Sequence, residues 1–317
     1  MKFALVFPGQ GSQSLGMMQA YGDSAIIRQT FDQASAALGR DLWELASSGP
    51  AEALNQTVNT QPLMLTAAIA VYRLWCAADG PQPAMVAGHS LGEYSALVAA
   101  GALDFVDAVP LVELRGRAMQ EAVPKGVGAM AAILGLDAAG VEAACAESGL
   151  GEVVEAVNFN APEQIVIAGT AAAVERAAAA CKARGAKRAM LLPVSAPFHC
   201  SLMRPAAEKL RSRLAEVKFT APTIPLVNNV DAICLTDPQA IKEALVRQAA
   251  APVRWVAGMQ FMAAAGVSHV YECGPGRVLS GLAKRCADGL TGVAMDNLDG
   301  LMAALAAVKR KGQDHGQ

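Results

Sequence analysis

Five consecutive residues, Gly88-His89-Ser90-Leu91-Gly92, have the types and spacing of a serine nucleophile on a sharp turn. In a G-x-S-x-G turn between a strand and a helix, the glycines leave room for the lifted serine. An apolar run at 84–87 precedes the motif, and a helical pattern at 93–100 follows it. Ser90 would then lie at a helix N-terminus, which favours developing negative charge. The motif predicts nucleophilic catalysis by Ser90.

A nucleophilic serine needs a base, and the chain contains four histidines. His315 lies in a polar tail, His269 lies in a strand-like run, and the side chain of His89 is expected to diverge from that of Ser90. His199 remains, in a segment where a small inserted domain would rejoin the large one, and sites tend to form at such junctions. Its position alone leaves two interpretations open, the base or a structural histidine.

The acidic member of a triad is missing from the pattern. A hydrolase of this type would have an Asp or Glu between the serine and the histidine in the chain. The acids in that interval fall mostly on polar helix faces, among them Asp104, Asp107, Glu113 and Glu121. We therefore expect a neutral acceptor, such as a backbone carbonyl, to orient the histidine, with weaker stabilisation of the imidazolium than a carboxylate gives.

Arg115 shares a predicted helix face with apolar residues, whereas Arg117 lies on a polar face. An unpaired guanidinium in apolar surroundings is costly, so Arg115 must find an anion or carbonyl groups. Two interpretations stay open: an internal salt bridge, or a bidentate contact with a substrate carboxylate.

The glycine-rich turn Gly9-Gln10-Gly11-Ser12-Gln13 follows the first predicted strand. It lacks the G-x-G-x-x-G spacing and the lysine of a P-loop, so nucleotide binding is not expected. Such a turn can instead present a backbone N–H to an oxyanion beside the serine.

Strand and helix patterns alternate along the chain, which predicts an α/β sandwich built on a largely parallel sheet. Core strands are expected at 2–7, 84–88, 224–228, 267–272 and 293–296. Helices are expected at 24–38, 62–78, 102–123, 201–217, 238–248, 253–265 and 298–308.

Between residues 126 and 195 the pattern changes to β–α–β–β–α–β, with a turn at Asn160-Ala161-Pro162. This order predicts a small ferredoxin-like domain inserted into the large one. The expected boundaries are 1–125 and 196–317 for a large α/β catalytic domain, resembling an α/β-hydrolase, and 126–195 for the small domain.

Composition limits the function classes. The 317 residues are 53% hydrophobic and 17% charged, with a formal net charge of −2, which does not suit a nucleic-acid-binding protein. The longest apolar stretch, 62–78, contains Tyr72 and Arg73 and is expected to be a buried helix; no membrane span or export signal is predicted. The seven cysteines form no C-x-x-C pair. That pattern predicts a reducing, cytoplasmic location without disulfides or a zinc site.

Six motifs in order along the chain resemble malonyl-CoA:acyl carrier protein transacylases of type II fatty acid synthesis. The resemblance covers essentially the whole chain. The motifs are Phe7-Pro8-Gly9-Gln10-Gly11-Ser12-Gln13, Gly88-His89-Ser90-Leu91-Gly92-Glu93-Tyr94, Arg115-Gly116-Arg117-Ala118-Met119-Gln120, Asn158-Phe159-Asn160-Ala161-Pro162, Pro197-Phe198-His199 and Glu272-Cys273-Gly274-Pro275-Gly276.

The resemblance implies a role for each matched residue. Ser90 would be the nucleophile, His199 the base, and the backbone carbonyl of Gln248 would orient that base. The N–H groups of Gln10 and Leu91 would form the oxyanion hole. Substrate-binding roles would fall to Arg115, for the malonyl carboxylate, and to Phe198, Asn160 and Met119. A bulky ring at Phe198 would crowd an α-methyl branch.

The implied reaction moves a malonyl group from malonyl-CoA to the phosphopantetheine thiol of acyl carrier protein through a malonyl-serine ester. It needs no metal or redox cofactor, and the protein is expected to be a monomer. Acyl carrier proteins are acidic as a class, so basic residues would dock the carrier; the candidates are Lys187, Arg188, Lys284 and Arg285.

Three alternatives stay open at this point. A serine esterase or thioesterase would share the turn but would have an acidic partner for its histidine. A non-catalytic binding subunit would leave Ser90 or His199 idle. An acyltransferase serving polyketide synthesis or malonate decarboxylase would keep the chemistry and change the pathway.

Overall fold

A computed structural model describes residues 1–313, and the side chains of residues 1–310. Within that range the chain forms nine strands. In chain order they are β1 (Phe3–Phe7), β2 (Met85–Gly88), β3 (Gly128–Leu134), β4 (Val154–Ala161), β5 (Gln164–Thr170), β6 (Arg188–Leu191), β7 (Leu226–Val227), β8 (His269–Glu272) and β9 (Thr291–Ala294).

Thirteen α-helices accompany these strands within the described residues. They are α1 (Ala25–Leu38), α2 (Leu42–Ser47), α3 (Ala51–Leu54), α4 (Thr57–Ala77), α5 (Gly92–Ala99), α6 (Phe105–Glu121), α7 (Ala138–Ser148), α8 (Ala171–Ala183), α9 (Arg204–Glu216), α10 (Pro238–Ala249), α11 (Trp255–Ala264), α12 (Val278–Cys286) and α13 (Leu298–Gln313). Short 3₁₀ turns lie at Gln19–Tyr21 and Ser201–Met203.

The larger sheet has five parallel strands in the order β7-β2-β1-β8-β9. Every residue of β1 is buried, as expected for a central strand with helices on both faces. All carboxyl ends of these strands meet at one edge of the sheet, where the turns after β1 and β2 lie side by side. The predicted α/β fold with a parallel sheet is confirmed.

The second sheet is antiparallel, with the order β4-β5-β3-β6. Its strands and helices follow one another as β3-α7-β4-β5-α8-β6. One apolar cluster joins the sheet to α7 and α8, including Ile133, Val141, Ile167 and Val174. No residue of the larger sheet belongs to this cluster, so the smaller sheet has a core of its own.

Backbone hydrogen bonds link β4 of the smaller sheet to Val253, in the loop between α10 and α11. In β4, the Phe159 N–H donates to the Val253 carbonyl at 3.0 Å, and the Val253 N–H donates to the Val157 carbonyl at 2.8 Å. Ala161, at the end of β4, packs into the apolar cluster under the larger sheet. These contacts hold β4 beside the carboxyl edge of the larger sheet.

Several predicted boundaries are wrong. Helix α4 begins at Thr57, so Pro62 lies inside the helix instead of at its start. Asn160 belongs to β4, and the turn follows it. Helices α2, α3 and α12 were not predicted, because each is shorter than three full turns. In residues 1–313, no helix combines the length and the hydropathy needed to cross a bilayer.

Candidate active site

The turn between β2 and α5 holds Ser90 in a left-handed backbone conformation, with φ +53°. The two flanking glycines are required by close approach. A Cβ at Gly88 would lie 1.9 Å from the backbone carbon of Gly92, and a Cβ at Gly92 would lie 2.1 Å from the carbonyl oxygen of Phe7. The predicted strand–turn–helix context of the serine is therefore present.

His199 lies beside this serine, although 109 residues separate them in the chain. The Nε2 atom of His199 is 2.7 Å from Ser90 Oγ, and its Nδ1 atom is 2.8 Å from the backbone carbonyl of Gln248 at the end of α10. A carbonyl can only accept, so Nδ1 carries the proton and Nε2 accepts from the serine hydroxyl. This arrangement can remove the proton from Ser90.

His199 is held in its neutral form. Burial and the positive charge of Arg115 together lower its pKa to about 3, although the hydrogen bond to Gln248 acts in the opposite direction. None of the ion pairs in the described part of the chain includes His199. Instead of an acid, a backbone carbonyl contacts its Nδ1 atom.

Three of the acids between the serine and the histidine in the chain have contacts away from His199. Asp104 caps α6 by accepting from the Val106 N–H at 2.8 Å. Glu113 pairs with Arg40, and Glu121 pairs with Lys209 at the surface.

Arg115 projects from α6 to the same serine and is 2% exposed. Its Nη1 donates to Gln61 Oε1 at 2.8 Å, while Nη2 donates to Gln248 Oε1 at 2.9 Å and to Ser90 Oγ at 3.1 Å. Its guanidinium also lies 5.5 Å from the ring centre of Tyr94. The internal salt bridge considered for Arg115 is absent among the described residues, since amide and hydroxyl oxygens accept all of these bonds.

An uncompensated guanidinium so close to the serine favours an anionic ligand. Desolvation lowers the pKa of Arg115 from its ordinary value, and the Nε atom has no hydrogen-bond partner within residues 1–310. The buried carboxyl of Glu93 interacts with Arg115 through its charge, but its hydrogen bonds are to the N–H groups of Asn229 and Gln248, and burial raises its pKa to about 7. A carboxylate group that entered the site would gain a charged partner already stripped of water.

The turns after β1 and β2 supply two unused donors. Neither the Gln10 N–H nor the Leu91 N–H donates to an acceptor within the described residues. Both residues line the cavity at Ser90, and a Cβ at Gly9 would come within 2.5 Å of the His89 carbonyl. The two turns are thus in contact, as an oxyanion hole made from both would require.

Ser90 opens into a cavity of about 660 Å³ between the two sheets. From the smaller sheet, the cavity is lined by Met130, Asn158, Asn160 and Val166. From the rest of the chain, it is lined by Met119, Phe198 and the apolar start of α12. Phe198 packs on Leu202 and Met203 and is half-buried. The predicted substrate-binding residues all face one space.

The other histidines lie elsewhere. The Nε2 atom of His89 is 2.7 Å from Asn160 Oδ1, so Asn160 contacts His89 and reaches the cavity wall beside it. His269 begins β8, at the amino edge of the larger sheet, where Nδ1 lies 2.9 Å from Ser268 Oγ. His315 lies outside the described residues.

Two other chemistries were considered at the site: a reactive thiol at Cys200, which follows His199 in the chain, and a bound metal ion. Cys200 is buried, and burial raises its pKa to about 12, so it is not a reactive thiol. Residues 1–313 contain no cluster of three or more potential ligands that could hold a metal ion.

Four functional candidates escaped the sequence analysis: Gln61, Glu93, Asn229 and the side chain of Gln248. They form a hydrogen-bonded network around Ser90 and Arg115. Glu93 was visible as the residue after the serine motif, but the amides come from three distant segments and share no spacing.

The fold and the paired Ser90 and His199 side chains fit an acyltransferase. Residues 4–298 match the family model described as "Acyl transferase domain", so the chain belongs to that family. The chain is 59% identical over 305 residues to the malonyl CoA-acyl carrier protein transacylase of Escherichia coli (strain K12), with 96% of this chain and 99% of that protein covered.

Solved structures give the same result. An acyl-carrier-protein S-malonyltransferase from Burkholderia pseudomallei is 60% identical, has a TM-score of 0.95, and is covered over 100% of its length by 96% of this chain. A malonyl-transacylase in complex with a type II PKS acyl-carrier protein is 51% identical, with a TM-score of 0.95 and coverage of 97% and 100%.

Proposed function

We propose that this chain transfers the malonyl group of malonyl-CoA to the phosphopantetheine thiol of acyl carrier protein, for fatty acid biosynthesis. The observation that carries the proposal is the 3.1 Å distance from Arg115 Nη2 to Ser90 Oγ. In a malonyl ester only two C–C bonds, of about 1.5 Å each, separate the ester carbonyl from the free carboxylate. A malonyl group on Ser90 would therefore bring its carboxylate to the guanidinium.

The first half-reaction uses the pair His199 and Ser90. As Ser90 Oγ attacks the thioester carbonyl, its proton passes to His199 Nε2, and the Gln10 and Leu91 N–H groups stabilise the oxyanion. The C–S bond then breaks, and the proton on His199 goes to the CoA thiolate. The product is a malonyl-serine ester.

The second half-reaction reverses this sequence. The thiol of acyl carrier protein gives its proton to His199 and attacks the ester carbonyl. The ester C–O bond breaks, and Ser90 recovers the proton. Hydrolysis of the ester by water would release malonate without transfer. We infer that the smaller sheet narrows the cavity and limits the access of water to the ester.

The division of the chain into domains is also a proposal. We infer a large α/β-hydrolase-like domain, residues 1–125 and 196–317, interrupted by a ferredoxin-like domain at 126–195. The sheet order β4-β5-β3-β6 and the separate apolar core of that segment support this division. We also propose a monomer that works in the cytoplasm without a bound cofactor.

Acyl carrier protein would approach across α12 and β6, each of which reaches the cavity at one end. Lys284 and Arg285 close α12, whose first turn lines the cavity, and Lys187 and Arg188 begin β6, whose far end leads to the cavity residue Leu192. No ion pair within the described residues uses any of these four cations. Arg285 Nη1 donates to the neutral Gln164 Oε1 at 2.6 Å, so none of the four positive charges is neutralised and all four can attract an acidic partner.

A second pathway could use the same acyl transfer. The 51% identical malonyl-transacylase is bound to a type II PKS acyl-carrier protein, which favours polyketide synthesis as the alternative use of the same chemistry. An esterase is supported less, because no carboxylate contacts His199 in the described residues.

The decisive experiment measures transfer and acyl-enzyme together. Wild-type protein mixed with malonyl-CoA should gain a malonyl adduct by mass spectrometry, and adding holo acyl carrier protein should move that group to the carrier. Ser90→Ala should form no adduct. A malonyl adduct that persists in Ser90→Ala, or release of free malonate in place of transfer, would contradict the proposal.

A further inference from the structure

Asn229 contacts both sides of the serine turn. It lies two residues after β7 and is 3% exposed. Its Oδ1 atom accepts from the Ser90 N–H at 2.7 Å, and its Nδ2 atom donates to the Gly88 carbonyl at 2.7 Å. One primary amide thus bridges the peptide groups on either side of His89.

The bridge replaces a missing stretch of sheet. Strands β2 and β7 pair in parallel with Ala87 beside Val227, and β7 ends there. A longer β7 would have offered a backbone N–H to the Gly88 carbonyl in the next step of the ladder. The side chain of Asn229 supplies that donor instead, while its own backbone N–H donates to Glu93 Oε2 at 3.0 Å.

The turn needs such support because Ser90 is strained. A non-glycine residue in the left-handed region is strained and persists only when its surroundings hold it. The Ser90 N–H is held by Asn229, and the Ser90 carbonyl accepts from Gln248 Nε2 at 2.9 Å. Both peptide groups of the serine are therefore fixed by amide side chains.

Asn229 is itself immobilised on several sides. Its carbonyl oxygen accepts from the Arg254 N–H at 2.9 Å, and Glu93 Oε2 accepts from both Asn229 N and Gln248 Nε2. The direction of the amide is unambiguous, since the Gly88 carbonyl can only accept and the Ser90 N–H can only donate.

We propose that Asn229 is a positioning residue for the acyl transfer: its amide fixes the strained turn so that Ser90 Oγ stays between His199 and Arg115. This inference rests on the proposed function for its substrate, but it concerns the geometry of the serine. Without the amide, the turn relaxes and the Ser90 hydroxyl leaves the 2.7 Å contact with His199.

The test compares Asn229→Ala with wild type in single-turnover acylation by malonyl-CoA. A displacement of the reacting oxygen by about 1 Å costs about 10²-fold in rate, so the maximal acylation rate should fall by about that factor. The malonyl-CoA concentration at half-maximal rate should stay near that of wild type, because Arg115 is intact. Asn229→Ser keeps at most one of the two bonds and should give an intermediate loss.

The matched control is Asn228→Ala. Asn228 is equally buried in the same loop, and its Oδ1 accepts from the Asp231 N–H, away from the serine. Acylation in this variant should stay near wild type. Three results would overturn the proposal. The first is acylation of Asn229→Ala or Asn229→Ser at the wild-type rate, and the second is a change in the half-maximal malonyl-CoA concentration alone. The third is an equal loss of acylation rate in Asn228→Ala.

Labelling by a fluorophosphonate separates this inference from the proposed function, because it measures the reactivity of Ser90 without any malonyl group. Slower labelling of the Asn229 variants would support the positioning role even if the wild-type protein failed to transfer a malonyl group. Should Asn229→Ala not fold, as judged by thermal unfolding, Asn229→Ser carries the same comparison.

Discussion

The Arg115 guanidinium donates to Ser90 Oγ at 3.1 Å, so the residue proposed to bind the substrate touches the nucleophile directly. The hydroxyl oxygen accepts from Arg115 while its proton points to His199 at 2.7 Å. A single cation can thus polarise the serine before acylation and hold a carboxylate after it. This double contact makes the acyl preference of the site testable.

Arg115→Ala should lower malonyl transfer by about 10²–10³-fold, because truncating one member of a buried charge pair costs roughly 3–4 kcal/mol. Acetyl transfer should fall much less, since an acetyl group has no distal carboxylate. The measurement is kcat/KM with malonyl-CoA and acetyl-CoA. Arg117→Ala is the control, because Arg117 lies at the surface beside Glu113. Equal losses for both substrates in Arg115→Ala would contradict carboxylate binding.

His199 should remain neutral far below the ordinary histidine range. Its pKa is lowered to about 3 by burial and by the charge of Arg115. In NMR spectra of histidine-labelled protein, the His199 ring signals should therefore not titrate between pH 7 and pH 5. Arg115→Met should raise the pKa, since the nearby cation is gone. Titration of His199 near pH 6.5 in wild type would contradict this account.

Glu93→Gln should change how stability depends on pH. Burial raises the pKa of Glu93 from 4.5 to about 7, so the folded protein binds more protons than the unfolded chain within that window. Stability due to Glu93 is then present at low pH and decreases as pH rises from 4.5 to about 7. His199 has the opposite sign, with stability lost as pH falls from 6.5 to about 3.

The difference between wild type and Glu93→Gln isolates the carboxyl. Glutamine keeps an acceptor for the Asn229 and Gln248 N–H groups. Chemical denaturation at several pH values should show the variant gaining stability relative to wild type as pH rises. A difference that is independent of pH would mean that Glu93 titrates alike in the folded and unfolded states.

Phe198→Ala should relax selection against an α-methyl branch. Space for one methyl group changes discrimination by about tenfold or more, so the ratio of kcat/KM for methylmalonyl-CoA to that for malonyl-CoA should rise by about tenfold. Met203→Leu, behind Phe198 in the same apolar cluster, serves as a packing control. An unchanged ratio in Phe198→Ala would exclude Phe198 as the residue that crowds the branch.

Lys284→Glu and Arg188→Glu should weaken transfer to acyl carrier protein and leave acylation by malonyl-CoA unchanged. The second half-reaction in wild type should also slow as salt rises, because exposed charges are screened. Lys218→Glu is the control, since Lys218 is an exposed cation outside the cavity lining. Transfer that ignores both the charge reversals and the salt concentration would exclude docking through these cations.

Much of the fold, and most of the residues that meet at the site, could be predicted from local sequence patterns. The glycine spacing around Ser90 and the apolar face around Arg115 are short-range patterns that a single helix or turn determines. The missing acid also pointed to the carbonyl that contacts His199.

The amide network around these residues could not be predicted. Gln61, Asn229 and Gln248 lie on α4, after β7 and on α10, and only the packing of those elements brings their side chains together. The contact between Asn160 and His89 likewise depends on β4 extending past its predicted end.

The backbone bonds between β4 and Val253 have a practical consequence for engineering. Residues 126–195 form an insert that could be exchanged between relatives to alter acyl selection. This insert, however, is hydrogen-bonded through β4 to Val253, which lies outside it. A chimera that exchanges the insert alone would place β4 of one protein against the Val253 segment of another. Exchanging the segment around Val253 together with the insert would preserve the spacing of the cavity walls.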